Sequence, residues 1–461
     1  MSLTEQLKPA GPPISRSDTP WWRELNSYHW FVLIVAALGW MFDCLDQQIF
    51  NIARGPAMKD LVGDPAKVSA YGGYATSIFL IGWASGGLIF GVLGDRIGRA
   101  RTMMWTILIY SLCTGLSALS QHFWDFALYR FITGFGVGGE FAVGVALIAE
   151  VMPPRARPYA LSMLQALSAV GNISAALIGM YFGHLVQTGT LRPDHGWRWM
   201  FVVGALPALL VVVIQKRLRE PESWKAAKAS GARLGSYAAL FSTPRWRKNT
   251  FIGLGLAFAG IVGLWGIVFF SIDLTRSVLS KIYATQGLSP SEVSGKATFG
   301  ASVASMMLNV GAFCGMYAFG VVTQRIGRRP TFAIFFVLAM ISTAIVFWTL
   351  GNLNDVYWMM PMMGFCVLSL FAGYAIYFPE LFPTNLRSTG TSFCYNVGRF
   401  VAAAGPALLG MLTAVYATKA EPLRYAGITM CSIFLLGLLV LPFAPETRDQ
   451  PLPEDEQSFA H

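Results

Sequence analysis

Five charged side chains fall inside stretches that are otherwise apolar: Asp43, Asp46, Arg130, Glu140 and Arg399. A charge at the centre of a membrane helix costs at least about 2.5–3.5 kcal/mol, so each needs a partner, a proton or a water-filled cavity. Asp43 and Asp46 are three residues apart and share one face of a helix. A buried like-charge pair is relieved when one member takes a proton, which makes both aspartates candidate proton carriers. Asp43 has two placements, at the mouth of a cavity or at its centre. Glu140 follows a glycine-rich run on the segment of Arg130 and has two readings, titration during a working cycle or a fixed hydrogen bond to a neighbour. Arg399 lies about ten residues into its apolar run. A guanidinium at that depth can grip a carboxylate through two parallel hydrogen bonds, or it can snorkel towards an interface.

Neutral polar groups accompany these charges. Gln165 and Asn172 are seven apart and stack two turns along one helix face. Trp265, Asn309, Tyr374, Tyr377 and Asn396 are further candidates to line a cavity, although a membrane aromatic more often packs or touches lipid. No catalytic or metal-ligating constellation assembles. His29, His122, His184, His195 and His461 are scattered, and the six cysteines include no C-x-x-C pair. Neither a P-loop, a Ser-His-Asp order nor an H-E-x-x-H spacing occurs. The chemistry offered is ion pairing and proton exchange, and neither an enzyme, a metal nor a cofactor is expected.

Membrane-spanning helices must place these groups. Of 461 residues, 54% are hydrophobic and 13% charged, against roughly 25% charged in a soluble domain. A soluble enzyme, a disordered chain and a nucleic-acid binder are disfavoured. Twelve apolar runs lie near 30–51, 73–93, 102–121, 123–149, 159–187, 197–215, 250–273, 297–321, 331–350, 357–378, 389–416 and 425–444. At 1.5 Å per residue, each can cross a hydrocarbon core about 30 Å thick. If both termini are cytoplasmic, 22 Lys and Arg fall on the cytoplasmic side and 10 on the other, as the positive-inside rule requires. The expected organisation is all-α: a cytoplasmic segment 1–29, a six-helix bundle 30–215, a basic cytoplasmic loop 216–249, a second bundle 250–444 and a tail 445–461. The net charge of +10 then reads as loops facing anionic lipid, with no nucleic-acid partner.

The two bundles carry a repeat. Gly91-Val92-Leu93-Gly94-Asp95-Arg96-Ile97-Gly98-Arg99 recurs 229 residues later as Gly320-Val321-Val322-Thr323-Gln324-Arg325-Ile326-Gly327-Arg328. Glu150 with Pro153 and Arg157 recurs at an offset of 230 as Glu380 with Pro383 and Arg387. A duplicated six-helix unit in a membrane generally encloses a pathway near the midplane, with alternating access as its mechanism. An anion held between Arg130 and Arg399, in opposite halves, would draw the bundles together. Asp95 beside Arg99, with Gly98 allowing a tight turn, can hold one face closed. Gln324 in place of the acid predicts a weaker second lock. Glu150, Arg157, Glu380, Arg387 and Glu446 are expected to complete the network, together with Gly91, Arg96, Arg325 and Arg328.

The G-x-x-x-D-R-x-G-R loop after the second of twelve helices resembles the signature of the major facilitator superfamily, and the resemblance covers nearly the whole chain. Arg130 with Gly134, Gly136, Gly138, Gly139 and Glu140, the Pro379-Glu380-Leu381-Phe382-Pro383-Thr384 run with Arg387 and Gly390, and the Pro445-Glu446-Thr447-Arg448 tail resemble the sugar-porter lineage and its organic-acid relatives. Asp43-x-x-Asp46 resembles the paired aspartates of aromatic-acid and sialate/lactate proton symporters. Gly196-Trp197-Arg198-Trp199 and Glu220-Pro221-Glu222-Ser223-Trp224 are most similar to the sialate/monocarboxylate branch. The resemblance implies twelve helices in two pseudo-symmetric bundles and an Asp46–Arg130 coupling pair that trades its bond for a proton. It also implies that Gln165 and Asn172 hydrogen-bond substrate hydroxyls, the second amide being short for a sugar. The expected protein is a multi-pass monomer of the plasma (inner) membrane that carries a small organic anion with protons, driven by the proton gradient. A sugar or polyol symporter and a drug or cation exporter are the alternatives, and Arg130 and Arg399 argue against a cationic ligand.

Overall fold

The computed structural model describes residues 20–64, 67–209, 214, 217–402, 405–419 and 421–454. The regular elements among them are helices. A short 3-10 turn, Trp21–Glu24, leads into α1 (Ser27–Val62), which Asn26 caps through a reciprocal bond with His29. α2 (Val68–Arg96), α3 (Arg99–Ser117), α4 (Phe123–Val151), α5 (Arg157–Gln187) and α6 (Pro193–Gly204) complete the first half. The connecting segment holds α7 (Glu222–Ala229) and α8 (Tyr237–Ser242). In the second half, α9 (Pro244–Gly263) runs through a π turn, Leu264–Val268, into α10 (Phe269–Thr285). There follow α11 (Pro290–Ile326), α12 (Arg328–Thr349), α13 (Leu353–Leu381), α14 (Arg387–Ala402), α15 (Gly405–Val415), α16 (Pro422–Met430) and α17 (Ile433–Val440).

Nine helical runs among the described residues are long and apolar enough to cross a membrane. The expected runs 102–121, 197–215 and 389–416 are not among them, each for its own reason. α3 does form on the run 102–121, but with Thr102, Thr106, Ser111, Thr114 and Ser117 buried against its neighbours it is less apolar than the nine. α6 gives way to a turn after Gly204, and part of 197–215 and of 389–416 lies outside the described residues. Several helices outrun their apolar segments: α1 continues to Val62 past Arg54 and Lys59, and the seventh run begins at Pro244.

Close approach of backbones builds the halves. Gly82 and Gly86 of α2 lie against the Phe131 and Phe135 carbonyls, and Gly134 and Gly138 of α4 lie against those of Phe79 and Trp83, so any side chain there would strike main chain. The second half repeats the device. Gly311 and Gly315 of α11 meet the Pro361 and Phe365 carbonyls of α13, and Gly364 meets that of Leu308. The halves touch through α2 with α14 and α5 with α11.

Candidate functional site

A cavity lies between the halves. Its wall takes Trp40, Cys44, Gln47, Gln48 and Asn51 from α1, Trp83 from α2, Gln165, Ser168 and Asn172 from α5, and Trp265 from the π turn. Ser305, Asn309 and Met316 of α11, Phe371 of α13, and Tyr395 and Arg399 of α14 close the far half. Of the substrate-contact candidates, Gln165, Asn172, Trp265, Asn309 and Arg399 are brought together here. Asn172 donates to Asn309 at 2.9 Å, joining α5 to α11 across the space.

Four expectations are corrected. Tyr374 donates to the Leu256 carbonyl and Tyr377 to that of Pro445, both at 2.7 Å, and their rings pack on Phe332. Asn396 donates to the Ser392 carbonyl and hydroxyl at 3.0 Å, beside Gly87 of α2. Helix–helix contacts absorb all three, and none lines the cavity. Arg130 does not reach it either, so an anion bridging Arg130 and Arg399 is not the geometry found.

Arg399 stands in the wall as a caged cation. Its guanidinium carbon lies 3.9 Å from the Trp83 ring and 4.3 Å from that of Tyr395. Aromatic faces attract a cation but cannot accept its N–H groups in the plane. Nη1 is 3.4 Å from the Asn396 amide oxygen, and Nε is buried without an acceptor. The stack continues from Tyr395 to Phe141 at 4.3 Å and from Phe141 to Trp40 at 4.8 Å.

The acidic groups of α1 part company. Asp46 accepts from Thr114 at 2.6 Å and from Arg130 at 3.5 Å. Arg130 also donates to Ser117 at 2.9 and 3.1 Å, to Thr133 at 3.0 Å and to Thr114 at 3.3 Å, and lies 4.7 Å from the Phe201 ring. This pair is fully buried behind the cavity wall. Asp43 instead faces Glu140 of α4, with Gly39 leaving room for the second carboxyl. The expected Asp43–Asp46 like-charge pair is thus replaced by Asp43–Glu140, because residues three apart diverge by about 60° around a helix and meet different neighbours. All four oxygens of Asp43 and Glu140 are buried with no donor from another group. Two such carboxyls satisfy each other only by sharing a proton, one as O–H and the other as acceptor. The field of Arg399 reaches Asp43.

The repeated loops tie one end of the molecule. Gly98 and Gly327 adopt φ of +115° and +98°, which side chains resist, and so turn the chain sharply before α3 and α12. Glu220 accepts from the Ala100 and Arg101 amides and Glu446 from those of Arg328 and Arg329, all at 2.9–3.2 Å, capping the two helices alike. Asp95 pairs with Arg99 at 3.0 Å and accepts from the Ser388 amide at 3.1 Å and from Thr389 at 2.8 and 2.6 Å, at the start of α14 in the opposite half. Thr389 also donates to the Gly91 carbonyl at 3.4 Å. Glu150 is shared by Arg99 at 2.9 Å and Arg387 at 2.7 Å, again across halves. Arg328 pairs with Glu380 within the second half at 2.8 Å.

Other members of this network behave differently. Arg157, expected in it, makes no ion pair within 4 Å among the described residues, because Arg328 and Thr447 occupy Glu380. Arg96 binds the Gly235 carbonyl at 3.1 Å, and the exposed Arg325 contributes its carbonyl to Arg448 at 2.7 Å. Gln324 donates to the Arg155 carbonyl at 3.5 Å.

The sequence reading did not single out Trp40, Trp83, Gln47, Gln48, Asn51 or Tyr395. Three carboxamides within five residues of an apolar helix, Gln47-Gln48-x-x-Asn51, were the available signal.

The model of the "Major Facilitator Superfamily" matches residues 30–406 and 266–460. A "putative metabolite transport protein" of Haemophilus influenzae is 31% identical over 440 residues, covering 93% of this chain and 99% of the relative. A cis,cis-muconate transport protein of Acinetobacter baylyi is 30% identical, covering 74% and 78%, and a sialic acid transporter of Escherichia coli 27%, covering 86% and 91%. Among solved structures, a proton:xylose symporter bound to 6-bromo-6-deoxy-D-glucose superposes with a TM-score of 0.72 at 17% identity, covering 92% of this chain and 98% of that one. The shared fold is two bundles of six membrane helices.

Proposed function

Because the chain belongs to the Major Facilitator Superfamily and is a membrane transporter, not an enzyme, we propose that it carries a small organic anion together with protons by alternating access. The observation that carries this reading is Arg399, a cation in the wall between the halves with a buried N–H and no acceptor for it. A carboxylate is the ligand whose paired oxygens match a guanidinium edge. The relatives' printed cargoes, muconate and sialic acid, are organic acids and support the same class.

Proton carriage belongs to the Asp43–Glu140 pair. An anion bound to Arg399 offsets the arginine's positive field at the Asp43–Glu140 pair, so substrate and proton enter together. The Asp46–Arg130 pair ties α1 to α4, and the proton gradient is the energy source, with no cofactor. The two networks of Asp95, Arg99, Glu150, Arg328, Glu380 and Arg387 form the cytoplasmic gate, shut in this conformation. Both termini lie in the cytoplasm and the protein works as a monomer of the plasma (inner) membrane, with the arginine-rich loops supporting that orientation.

The test is uptake into proteoliposomes of lactate, pyruvate, sialate, benzoate and glucose, with and without an inward proton gradient. Acid-stimulated uptake of at least one carboxylate is expected, lost in Arg399→Gln. Accumulation of only uncharged or cationic solutes would refute the assignment. A sugar or polyol symporter is the second reading, favoured by the amides of Gln165, Asn172 and Asn309 in the wall. It predicts glucose uptake that survives Arg399→Gln.

A further inference from the structure

Arg157 stands among the charges at the tied end of the molecule without a task there. It is 8% exposed, and among the described residues its side chain makes neither an ion pair within 4 Å nor a hydrogen bond. Nε is sealed in, whereas the two terminal nitrogens, equally unpaired, keep accessible surface. The space beside them is a pocket of about 400 Å³ whose wall includes Arg157, against ~30 Å³ for one water. A buried guanidinium without a counter-ion is costly. The charges around this one include two further cations, Arg328 and Arg387, and the nearby Glu380 is already held by Arg328 and Thr447. The pocket straddles the seam. The first half and the connecting segment supply Glu150, Arg157 and Ser223, and the second half supplies Thr384, Arg387 and the tail residues 449–454. Arg387 donates through Nη2 to the Pro453 carbonyl at 3.4 Å, which lays the tail across the site. Three carboxylates share the wall, and none lies within 4 Å of Arg157. Glu150 is held by Arg99 at 2.9 Å, Arg387 at 2.7 Å and Ser223 at 3.4 Å, Asp449 pairs with Arg448 at 3.1 Å, and Glu454 is exposed to solvent.

We propose that this pocket binds a phosphate-sized oxyanion from the cytoplasm, held by the Arg157 guanidinium with the Ser223 and Thr384 hydroxyls, and complete only while the two halves are closed. The proposal rests on the reading that this end faces the cytoplasm and is shut, and its ligand is not the cargo. Paired oxygens on one centre match a guanidinium edge and supply the missing charge. Thr384 Oγ1 accepts from Arg387 at 3.1 Å, so its own proton is free to donate elsewhere. Ser223 holds Glu150 only at 3.4 Å and can serve the anion as well. The exposed carboxylates Asp449 and Glu454 oppose entry weakly, because salt screens surface charges beyond about 8 Å at physiological ionic strength while a buried cation is screened much less. A ligand whose partners come from both halves favours the state that brings them together. The anion therefore acts as a brake on inward release, applied from inside the cell.

Binding is measured first, on the full chain in detergent, as the thermal transition against inorganic phosphate with chloride at matched ionic strength as control. A rise that phosphate produces and chloride does not is expected. Arg157→Gln removes an uncompensated buried charge, so without phosphate it should unfold at or above the wild-type temperature, and its affinity for phosphate should drop at least about tenfold. Ser223→Ala should weaken binding less. Transport is read in right-side-out vesicles, using whichever carboxylate the wild type accumulates. Phosphate inside should slow uptake at least about twofold, phosphate outside should not, and the difference should vanish in Arg157→Gln. No phosphate-specific shift in detergent overturns the site. A lowered transition in Arg157→Gln without phosphate makes Arg157 a structural contact and overturns it too. Vesicles of phosphatidylcholine with and without phosphatidylglycerol separate the two sources of phosphate: slowing by the lipid alone overturns the free ion. Faster uptake with internal phosphate overturns the brake. A shift in detergent with slowing only from outside reverses the orientation and leaves the site standing. If no carboxylate accumulates, the organic-anion reading falls while the detergent measurement still decides the pocket.

Discussion

Replacing one carboxyl oxygen by an amide nitrogen separates the jobs of the two aspartates on α1. Asp43→Asn and Glu140→Gln each leave a hydrogen-bonding pair of nearly the same shape, in which an amide N–H takes the place of the shared proton. Both variants are expected to lose acid stimulation of uptake while retaining counterflow exchange, measured in the same vesicles at two external pH values. Asp46→Asn acts on stability instead, because it strands the Arg130 guanidinium in the first bundle. Breaking a buried ion pair from one side costs about 3–5 kcal/mol, less here as Ser117, Thr114 and Thr133 still accept from the arginine. A clearly lowered thermal transition in detergent is the expected result, and an unchanged transition with lost acid stimulation would return the proton to Asp46. Arg399 was legible from type and depth alone, since a cation ten residues into an apolar run has few uses. The pairing of the acids was not, because it depends on which helix faces each side of α1. For the same reason Tyr374, Tyr377 and Asn396 read as cavity residues although the carbonyls of Leu256, Pro445 and Ser392 had already claimed them.

Helices α2 and α4 meet along glycines four residues apart on both partners, and α11 and α13 repeat this contact about 230 residues later. Gly86→Leu would drive a side chain into the Phe135 carbonyl, where no rotamer escapes main chain. Overpacking of this kind costs about 1–3 kcal/mol or more, and the expected readout is reduced yield of monodisperse protein in size-exclusion chromatography. Gly144→Ala, where an added methyl meets nothing within 4 Å, should behave as wild type. Spans were legible as apolar runs because the bilayer core admits little else. Their ends were not: hydropathy marks where a helix leaves hydrocarbon, whereas α1 goes on hydrogen-bonding its backbone until Gly63 turns it, with φ of +69°. α3 was legible as the run 102–121 even though its buried hydroxyls make it less apolar than its neighbours.

Across the whole molecule, the two halves are held at one end by acids that reach over the seam. Glu150→Gln would weaken the contacts with Arg99 and Arg387 together, favouring the conformation open on that side. Cys44, in the cavity wall, offers a reporter: in a protein whose other five cysteines are serine, a membrane-impermeant maleimide applied from the cytoplasmic side should label Cys44 faster in Glu150→Gln than in the parent. Equal rates would mean that these charges do not control access. The duplication predicted two locks and their inequality, because a glutamine occupies the acid's place in the second copy. It could not predict that Asp95 would fasten onto the first turn of α14 through three hydrogen bonds while Gln324 touches α5's approach at 3.5 Å. The proposed motion inherits that imbalance. Under the proposed alternating access, the α2–α14 edge is expected to stay joined like the spine of a book while the α5–α11 edge parts like its pages, so that cargo departing inward leaves along the side where Gln165 and Asn172 stand. Bulky groups engineered on that side will obstruct departure, and equal groups on the spine will not.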